Sequence, residues 1–164
     1  MMQTRKNIRL PNYDYCQPGM YFVTICTAKK QKIFGSIRRG DPCGRPKTEL
    51  SKIGEIANLV LNLMEKSYDC HIDCSIIMPN HIHILFDTTR RATARVAPTL
   101  GKIVGAYKST VITLCRREEL SNHSFWQRGY YEHIVRTERD LSEIRKYINE
   151  NPDRWAEDKY YITD

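Results

Sequence analysis

Long hydrophobic runs are missing from this sequence of 164 residues. The longest apolar stretches, around residues 76–78 and 82–86, are far shorter than the roughly 20 residues that span a bilayer. Basic residues occur near the N-terminus, but no apolar segment follows them, so no secretory signal is predicted. We therefore expect no transmembrane segment, no membrane partner and a cytoplasmic location.

Acidic residues are scarce in the first 50 positions, which hold three of them against ten Lys and Arg. This segment accounts for the whole formal charge of +7, because the rest of the chain carries equal numbers of both signs. Such an excess is typical of a surface that binds a polyanion, since Lys and Arg release condensed counterions from phosphates. A solvated basic face without a partner is the other interpretation of the charge alone.

Paired cysteine motifs are also lacking. Six Cys residues occur, but only Cys70 and Cys74 lie close together, with His71 between them, and no second metal-binding pair follows. Without an export signal the thiols are expected to be reduced, and no disulfide framework is predicted. A zinc site centred on Cys70, His71 and Cys74 is the minor alternative.

The composition is that of an ordinary globular protein, with 41% hydrophobic and 27% charged residues, and we predict a single domain over residues 1–164. β-branched and aromatic runs predict strands, and apolar residues at helical spacing predict helices. The predicted order is a strand at 20–28, a short strand through 33–37, a loop at 39–47, a helix at 49–67, strands at 73–78 and 81–87, an arginine-rich linker at 88–98, a helix at 99–117, a strand at 130–135, and a last helix that Thr137 or Asp140 caps and Asn151-Pro152 ends.

This order predicts an α+β, ferredoxin-like fold, in which a split βαβ arrangement forms an antiparallel sheet. The first two helices are expected to cover one face of the sheet and to leave the other face open. The last helix is an addition to this arrangement at the C-terminus. An open sheet face is a place where a functional site can be built.

The most informative residues are His81 and His83, which follow a predicted Pro79-Asn80 turn. Side chains alternate along a strand, so the two imidazoles project from one face while Ile82 projects from the other. Two imidazoles on one face can bind one divalent ion. Two surface histidines without a metal are the other interpretation of this spacing.

In three segments the sequence resembles a known family. Pro79-Asn80-His81-Ile82-His83 resembles the His-hydrophobic-His (HUH) signature of single-strand DNA nicking enzymes, in the form found in small single-tyrosine transposases. The segments Trp-Gln-Arg-Gly-Tyr-Tyr-Glu-His-Ile at 126–134 and Tyr-Ile-Asn-Glu-Asn-Pro at 147–152 are similar to the REP-associated tyrosine transposases. The resemblance runs from Leu10-Pro11 to Trp155 and covers almost the whole chain.

The resemblance implies an enzyme that cleaves and transfers DNA strands. Tyr147, on the C-terminal helix, matches the nucleophile that attacks a DNA phosphate and forms a 5′-phosphotyrosine bond. His81, His83 and Asn151 match the ligands of a divalent metal ion, Mg²⁺ or Mn²⁺. No nucleotide cofactor is expected, because the covalent intermediate preserves the energy of the phosphoester.

The resemblance also implies single-stranded or hairpin DNA from palindromic repeats as the partner, and it leaves a homodimer open. Basic side chains are the expected phosphate contacts. Exposed aromatic rings are the expected stacking platforms for unpaired bases. The candidates are Arg5, Lys6, Arg9, Lys29, Lys30, Lys32, Arg90, Arg91 and Arg95 for phosphates, and Trp126, Tyr130 and Tyr131 for bases. A non-catalytic protein that binds structured nucleic acid on a ferredoxin-like sheet is the alternative function.

Overall fold

The computed structural model describes residues 17–38, 44–68, 70–89 and 99–163. The helices and strands are β1 (Met20–Cys26), β2 (Gly35–Arg38), β3 (Lys47–Leu50), α1 (Lys52–Tyr68), β4 (His71–Ile77), β5 (His81–Asp87), α2 (Leu100–Arg117), β6 (Tyr131–Val135) and α3 (Glu138–Glu150). Short 3₁₀ turns occupy 28–30 and 155–157. None of the helices in the described ranges is long and apolar enough to cross a membrane.

The main sheet has the strand order β4-β5-β1-β6, and all of its strand pairs are antiparallel. Helix α1 connects β1 to this sheet's edge strand β4, by way of a small hairpin of β2 and β3, and α2 connects β5 to β6. This order confirms the predicted ferredoxin-like fold. The histidine strand β5 is therefore an inner strand, paired on both sides.

One face of the sheet forms the main core. Tyr21, Val23 and Ile25 on β1 alternate with residues of the opposite face, and they pack beside the equivalent residues of β5 against α1 and α2. The β5 residues in this core are Ile82, Ile84 and Phe86, all nearly inaccessible to solvent. The predicted alternation of β5, with its isoleucines toward the two helices and its histidines away from them, is confirmed.

The opposite face carries a smaller second core, in which Leu85 of β5 packs against three residues of α3: Leu141, Ile144 and Ile148. The expectation that this face is open is wrong around the histidines, because His81 is 0% exposed and His83 is 1% exposed. Helix α3 and the irregular segment after it cover them. The apolar stripe of α3 packs on this face of the sheet and is buried there.

Threonine side chains define where α2 and α3 begin. The Thr99 hydroxyl accepts a hydrogen bond from the Lys102 amide at 3.4 Å, and the Thr137 hydroxyl accepts one from the Asp140 amide at 3.1 Å. These contacts satisfy amide groups that have no partner within the helix. Thr137 rather than Asp140 is therefore the cap of α3.

Several boundaries differ from the sequence prediction by one to three residues, and two of them have a clear physical cause. Residues 47–50 form β3, although the sequence predicts a loop up to residue 47 and a helix from residue 49, because pairing with β2 overrides a weak local preference. The first strand ends at Cys26 instead of residue 28, since Lys29 and Lys30 adopt a left-handed backbone with φ of 54°. The predicted N-terminal contacts Arg5, Lys6 and Arg9, and the linker contacts Arg90, Arg91 and Arg95, lie outside the described residues.

Candidate active site

Two buried imidazoles form the centre of the site. His81 and His83 are two residues apart on β5, so both project toward α3, and their Nε2 atoms lie 3.0 Å apart. The other ring nitrogen of His83, Nδ1, is 2.9 Å from the hydroxyl of Thr24 on the neighbouring strand β1. At this separation the two Nε2 atoms can share a single proton or a single metal ion.

The turn residue Asn80 orients His81. Its amide nitrogen donates hydrogen bonds to the carbonyl oxygens of Lys30 at 3.2 Å and Tyr160 at 2.8 Å. The amide oxygen therefore faces His81 and accepts a hydrogen bond from Nδ1 at 2.9 Å. Because Nδ1 carries the proton, Nε2 of His81 presents its lone pair, as a metal ligand must.

Burial also keeps both rings neutral. It lowers the pKa of His81 to about 4, and Asp158 opposes this effect only in part. The pKa of His83 is well below its ordinary value, first because of burial and second because of the neighbouring His81. At neutral pH both imidazoles are therefore uncharged, with one ring nitrogen of each free of a proton and able to bind a cation.

Tyr147 reaches this centre from α3. Its ring centroid is 5.2 Å from that of His83 and 6.1 Å from that of Phe22, and the side chain is 38% exposed. Leu141, Ile144 and Ile148 anchor the helix in the second core, which leaves Tyr147 at the boundary between that core and solvent. The phenol is thus next to the histidines and still accessible to a macromolecular substrate.

Asn151 and Asp158 complete the cluster. The Asn151 amide nitrogen donates a hydrogen bond to Oδ2 of Asp158 at 2.8 Å, and the Tyr147 hydroxyl donates one to the same oxygen at 3.2 Å. Since a carboxylate only accepts hydrogen bonds, Oδ1 of Asn151 must point away from it. This oxygen is buried and has no hydrogen-bond partner among the described residues.

The donor set fits a divalent cation. Ligand atoms of His81, His83 and Asp158 all lie within 4.8 Å of one another. The buried oxygen of Asn151 belongs to the same cluster, because the Asn151 amide nitrogen contacts the Asp158 carboxylate and the Asn151 side chain also lies beside His81. Carboxylate and amide oxygens are ligands of Mg²⁺ and Mn²⁺, and the two neutral imidazoles favour a transition-metal ion such as Mn²⁺ over Mg²⁺.

Asp158 is the site residue that sequence reasoning missed. It lies in the irregular segment after α3, with no periodicity and no motif around it.

Asp158 also acts on the nucleophile candidate. Burial and the Asp158 carboxylate together raise the pKa of Tyr147 to about 12, so the free phenol is protonated at neutral pH. The position of Asp158 depends on tertiary contacts made by the C-terminal segment, which no local signal reveals.

A pocket of about 560 Å³ opens beside Tyr147. Phe22 lies on its sheet side, and three basic side chains line it together with the cluster residues. The cations are Lys146, Arg154 and Lys159. Four carboxylates, those of Glu143, Glu150, Glu157 and Asp158, also line the pocket, so its opening is of mixed charge and does not by itself attract a phosphate.

The predicted DNA contacts occupy different environments. Lys30 donates a hydrogen bond to the Lys159 carbonyl at 2.8 Å, and Lys32 lies 5.6 Å from the Tyr161 ring centroid, so both contact the C-terminal segment. Lys29 is exposed. These three residues remain predicted phosphate contacts.

The three predicted stacking residues are distributed between core and surface. Trp126 is only 9% exposed and packs against Phe34 and Phe125, so the predicted stacking role does not fit its position. Tyr130 packs against the main core. Tyr131 is 40% exposed and keeps its predicted role.

The zinc alternative is wrong. Cys70 belongs to the main core, whereas Cys74 packs against the second core on the opposite face of the sheet. His71 pairs with Glu65 at 3.0 Å instead. A bulge between Ile72 and Cys74 contributes to this separation. In the described part of the chain, the metal-binding geometry occurs around His81 and His83.

The amino-acid sequence is similar to a family of transposases and to two proteins of known sequence. Residues 45–151, well over half of the chain, match the model of the IS200-like transposase family. A Haemophilus influenzae protein of uncharacterised function is 29% identical, with 96% of this chain and 93% of that protein aligned. A second H. influenzae protein, assigned to the REP-associated tyrosine transposases, is 23% identical over 87% of this chain and 76% of its own length.

Solved structures share the fold at low sequence identity. The structure of a REP-associated tyrosine transposase bound to a REP hairpin superimposes with a TM-score of 0.62, at 16% identity, over 97% of this chain and 77% of that one. A Deinococcus radiodurans protein classed as a transposase gives a TM-score of 0.51, at 14% identity, over 86% and 95% of the two chains.

Proposed function

The chain belongs to the family of IS200-like transposases, and from this premise we propose that it is a metal-dependent enzyme that cleaves and rejoins single-stranded DNA at hairpins. The cleaved strand is held through a 5′-phosphotyrosine bond to Tyr147. The convergence of Tyr147 with His81 and His83 carries the proposal. Residues 64 positions apart in the sequence, on an inner strand and on an added helix, meet with a ring separation of 5.2 Å.

His81, His83 and Asn151 would hold the metal ion, with Asp158 next to them. When bound, such an ion would supply Lewis-acid polarisation of the scissile phosphate and would offset the negative charge that develops there. Two features of the chain make the imidazoles suitable metal ligands. Asn80 fixes the tautomer of His81, and burial keeps both imidazoles neutral.

Tyr147 supplies the nucleophile. Its Oη attacks the phosphorus atom, a new bond forms between Oη and phosphorus, and the bond from phosphorus to the 3′ oxygen breaks. The phenol proton leaves Oη, for which Oδ2 of Asp158 is the hydrogen-bond acceptor at 3.2 Å. The released 3′ oxygen takes up a proton as a hydroxyl, and attack by such a hydroxyl on the phosphotyrosine reverses the step and rejoins the DNA.

The hairpin partner is proposed from the family and from the fold neighbour that was solved with a REP hairpin. The net charge of +7 supports a nucleic acid as the partner. The pocket beside Tyr147 gives a strand access to the phenol, and a bound divalent cation would offset the carboxylates that line it.

Incubation of the full chain with a hairpin-bearing single strand tests the proposal. With Mg²⁺ or Mn²⁺ we expect a covalent protein–DNA adduct on a denaturing gel, and peptide mapping should locate the DNA on Tyr147. EDTA should prevent the adduct from forming. Salt-dependent hairpin binding without any adduct under these conditions would instead favour the non-catalytic alternative.

The oxygen ligand of the metal ion can be identified by two substitutions. We expect Asn151→Ala to weaken Mn²⁺ binding more than Asp158→Asn, because Asn151 presents the partnerless oxygen while Asp158 holds its amide nitrogen. Loss of an orienting partner typically costs about 10- to 100-fold in metal affinity, and loss of a ligand costs more. Titration calorimetry with Mn²⁺ measures both affinities without DNA.

Asp153→Asn is the matched control, since Asp153 is exposed and this substitution removes the same negative charge as Asp158→Asn. Its Mn²⁺ affinity should equal that of the unmodified protein. The reverse order, with Asp158→Asn the weaker binder, would make the Asp158 carboxylate the third ligand and Asn151 its support.

A further inference from the structure

A second basic region lies away from the metal cluster, along α2. A groove of about 440 Å³ runs between the outer surface of α2 and the loop at 124–129. Three basic and three hydroxyl side chains are among the residues that line it: Lys108, Ser109, Thr113, Arg116, Ser124 and Arg128. None of the described residues that line the groove is acidic.

Lys108 gives the groove its shape. Its ammonium group donates hydrogen bonds to the carbonyl oxygens of Gln127, at 2.9 Å, and Gly129, which holds the loop against α2. Gly129 has a φ of 77°, a left-handed conformation that glycine adopts without strain, and the chain turns sharply there just before β6. The guanidinium groups of Arg116 and Arg128 are left exposed on the two sides of the groove.

The chemistry of the lining matches a nucleic-acid backbone and not the bases. Arginine, serine and threonine side chains are the common partners of DNA phosphates. A strand of unpaired bases requires aromatic faces on which to stack. The aromatic residue of the groove, Trp126, is 9% exposed and its indole N–H donates a hydrogen bond to the Lys108 carbonyl at 3.1 Å, so it offers no face.

Contacts connect this groove with the metal cluster. The Gln127 amide nitrogen donates a hydrogen bond to the Tyr131 hydroxyl at 3.4 Å, and the Tyr131 ring is 6.3 Å from that of Tyr160. The Tyr160 ring is in turn 4.6 Å from that of His81. The exposed Tyr131 therefore lies between the groove and the cluster. The order along the surface is a backbone-binding groove, an exposed aromatic ring, and the proposed cleavage site.

We propose that the groove between α2 and the 124–129 loop binds the sugar-phosphate backbone of the paired stem of the hairpin, with Arg116 and Arg128 on phosphates. The first unpaired base beyond the stem stacks on Tyr131, and the strand continues to Tyr147. This inference rests on the proposed function for the identity of the DNA. It assigns the stem to residues outside the basic segment formed by the first 50 positions.

A charge-matched pair of double variants tests the groove. Arg116→Gln with Arg128→Gln removes two charges from the groove, and Lys52→Gln with Lys66→Gln removes two exposed charges from α1. Both are made in a Tyr147→Phe background, so that binding is measured without cleavage. All four positions are exposed, and thermal melting confirms that each variant folds.

The groove variant should bind hairpin DNA about tenfold more weakly at moderate salt, and the slope of log K against log salt should fall by about two. The α1 variant should bind like its parent. An unpaired oligonucleotide of equal length should lose less than twofold with either variant. Equal loss for both variants would overturn the proposal, as would equal loss for hairpin and unpaired DNA.

The two proposals fail separately. If the groove variant loses hairpin affinity while the unmodified chain forms no adduct, the groove still binds a stem and the proposed catalysis is wrong. If the unmodified chain forms the adduct and the groove variant binds hairpins as its parent does, catalysis stands and the groove proposal is wrong.

Discussion

Replacing Tyr147 with Phe is expected to abolish the covalent protein–DNA adduct and to reduce strand cleavage by a factor on the order of 10³ or more, as for the loss of other enzymatic nucleophiles. Only one oxygen atom is removed. The ring keeps its packing beside His83 and Phe22, while the hydrogen bond to Asp158 is lost. That bond is partly exposed, so the free energy of unfolding should change by less than about 1 kcal/mol.

Tyr161→Phe is the matched control. Tyr161 is partly buried in the segment after α3, and its ring packs against Trp155 and not against the histidines. This variant should retain the adduct, since a phenylalanine ring keeps that packing. Hairpin affinity of both variants, measured at equilibrium in EDTA, should remain within about twofold of the unmodified chain. An undiminished adduct with Tyr147→Phe would show that another residue is the nucleophile.

Replacing His83 with Leu should have the second largest effect. We expect metal-dependent cleavage to fall at least about 100-fold, because a ligand of the ion that stabilises the phosphate charge is lost. Leucine fills a similar volume beside Phe22 without offering a lone pair. The hydroxyl of Thr24 loses its partner, at a cost of about 1 kcal/mol.

Thermal melting separates metal binding from activity. Mn²⁺ should raise the melting temperature of the unmodified chain, since a ligand that binds only the folded state stabilises it, and should have little effect on His83→Leu. His133→Leu is the control, because His133 projects from the same face but pairs with Asp140 at 2.8 Å. A metal-induced shift that survives in His83→Leu would contradict the assignment of this ligand.

The sequence was sufficient for most of the fold. Helices α1 and α2 and the hairpin of β4 and β5 each contain a complete local signal, in the form of apolar periodicity or a Pro79-Asn80 turn. Strand β3 contains none, because its sequence Lys-Thr-Glu-Leu is neither apolar nor rich in β-branched residues, and it forms a strand by pairing with β2. A local sequence pattern therefore predicts a helix or strand only where the segment's own propensity and periodicity favour it, and not where pairing with a distant segment decides.

The site divides in the same manner. His81 and His83 were predictable as a pair, because strand alternation places them on one face. Tyr147 needed the family resemblance, since its helix also contains core residues at similar spacing. Asp158 was not predictable, as its place beside Tyr147 and Asn151 depends on the path of the segment after α3.

Strand β5 is buried along its whole length, with histidines toward α3 and apolar residues toward α1 and α2. A substitution in such a strand changes one side chain, whereas a change in the length of the turn before it changes the register of the whole strand. One residue inserted beside Asn80 would shift every β5 side chain to the other face. The imidazoles would then enter a dry core, and isoleucines would face Tyr147. Length variation in this family should therefore be absent from the two-residue turn and confined to the surface loops.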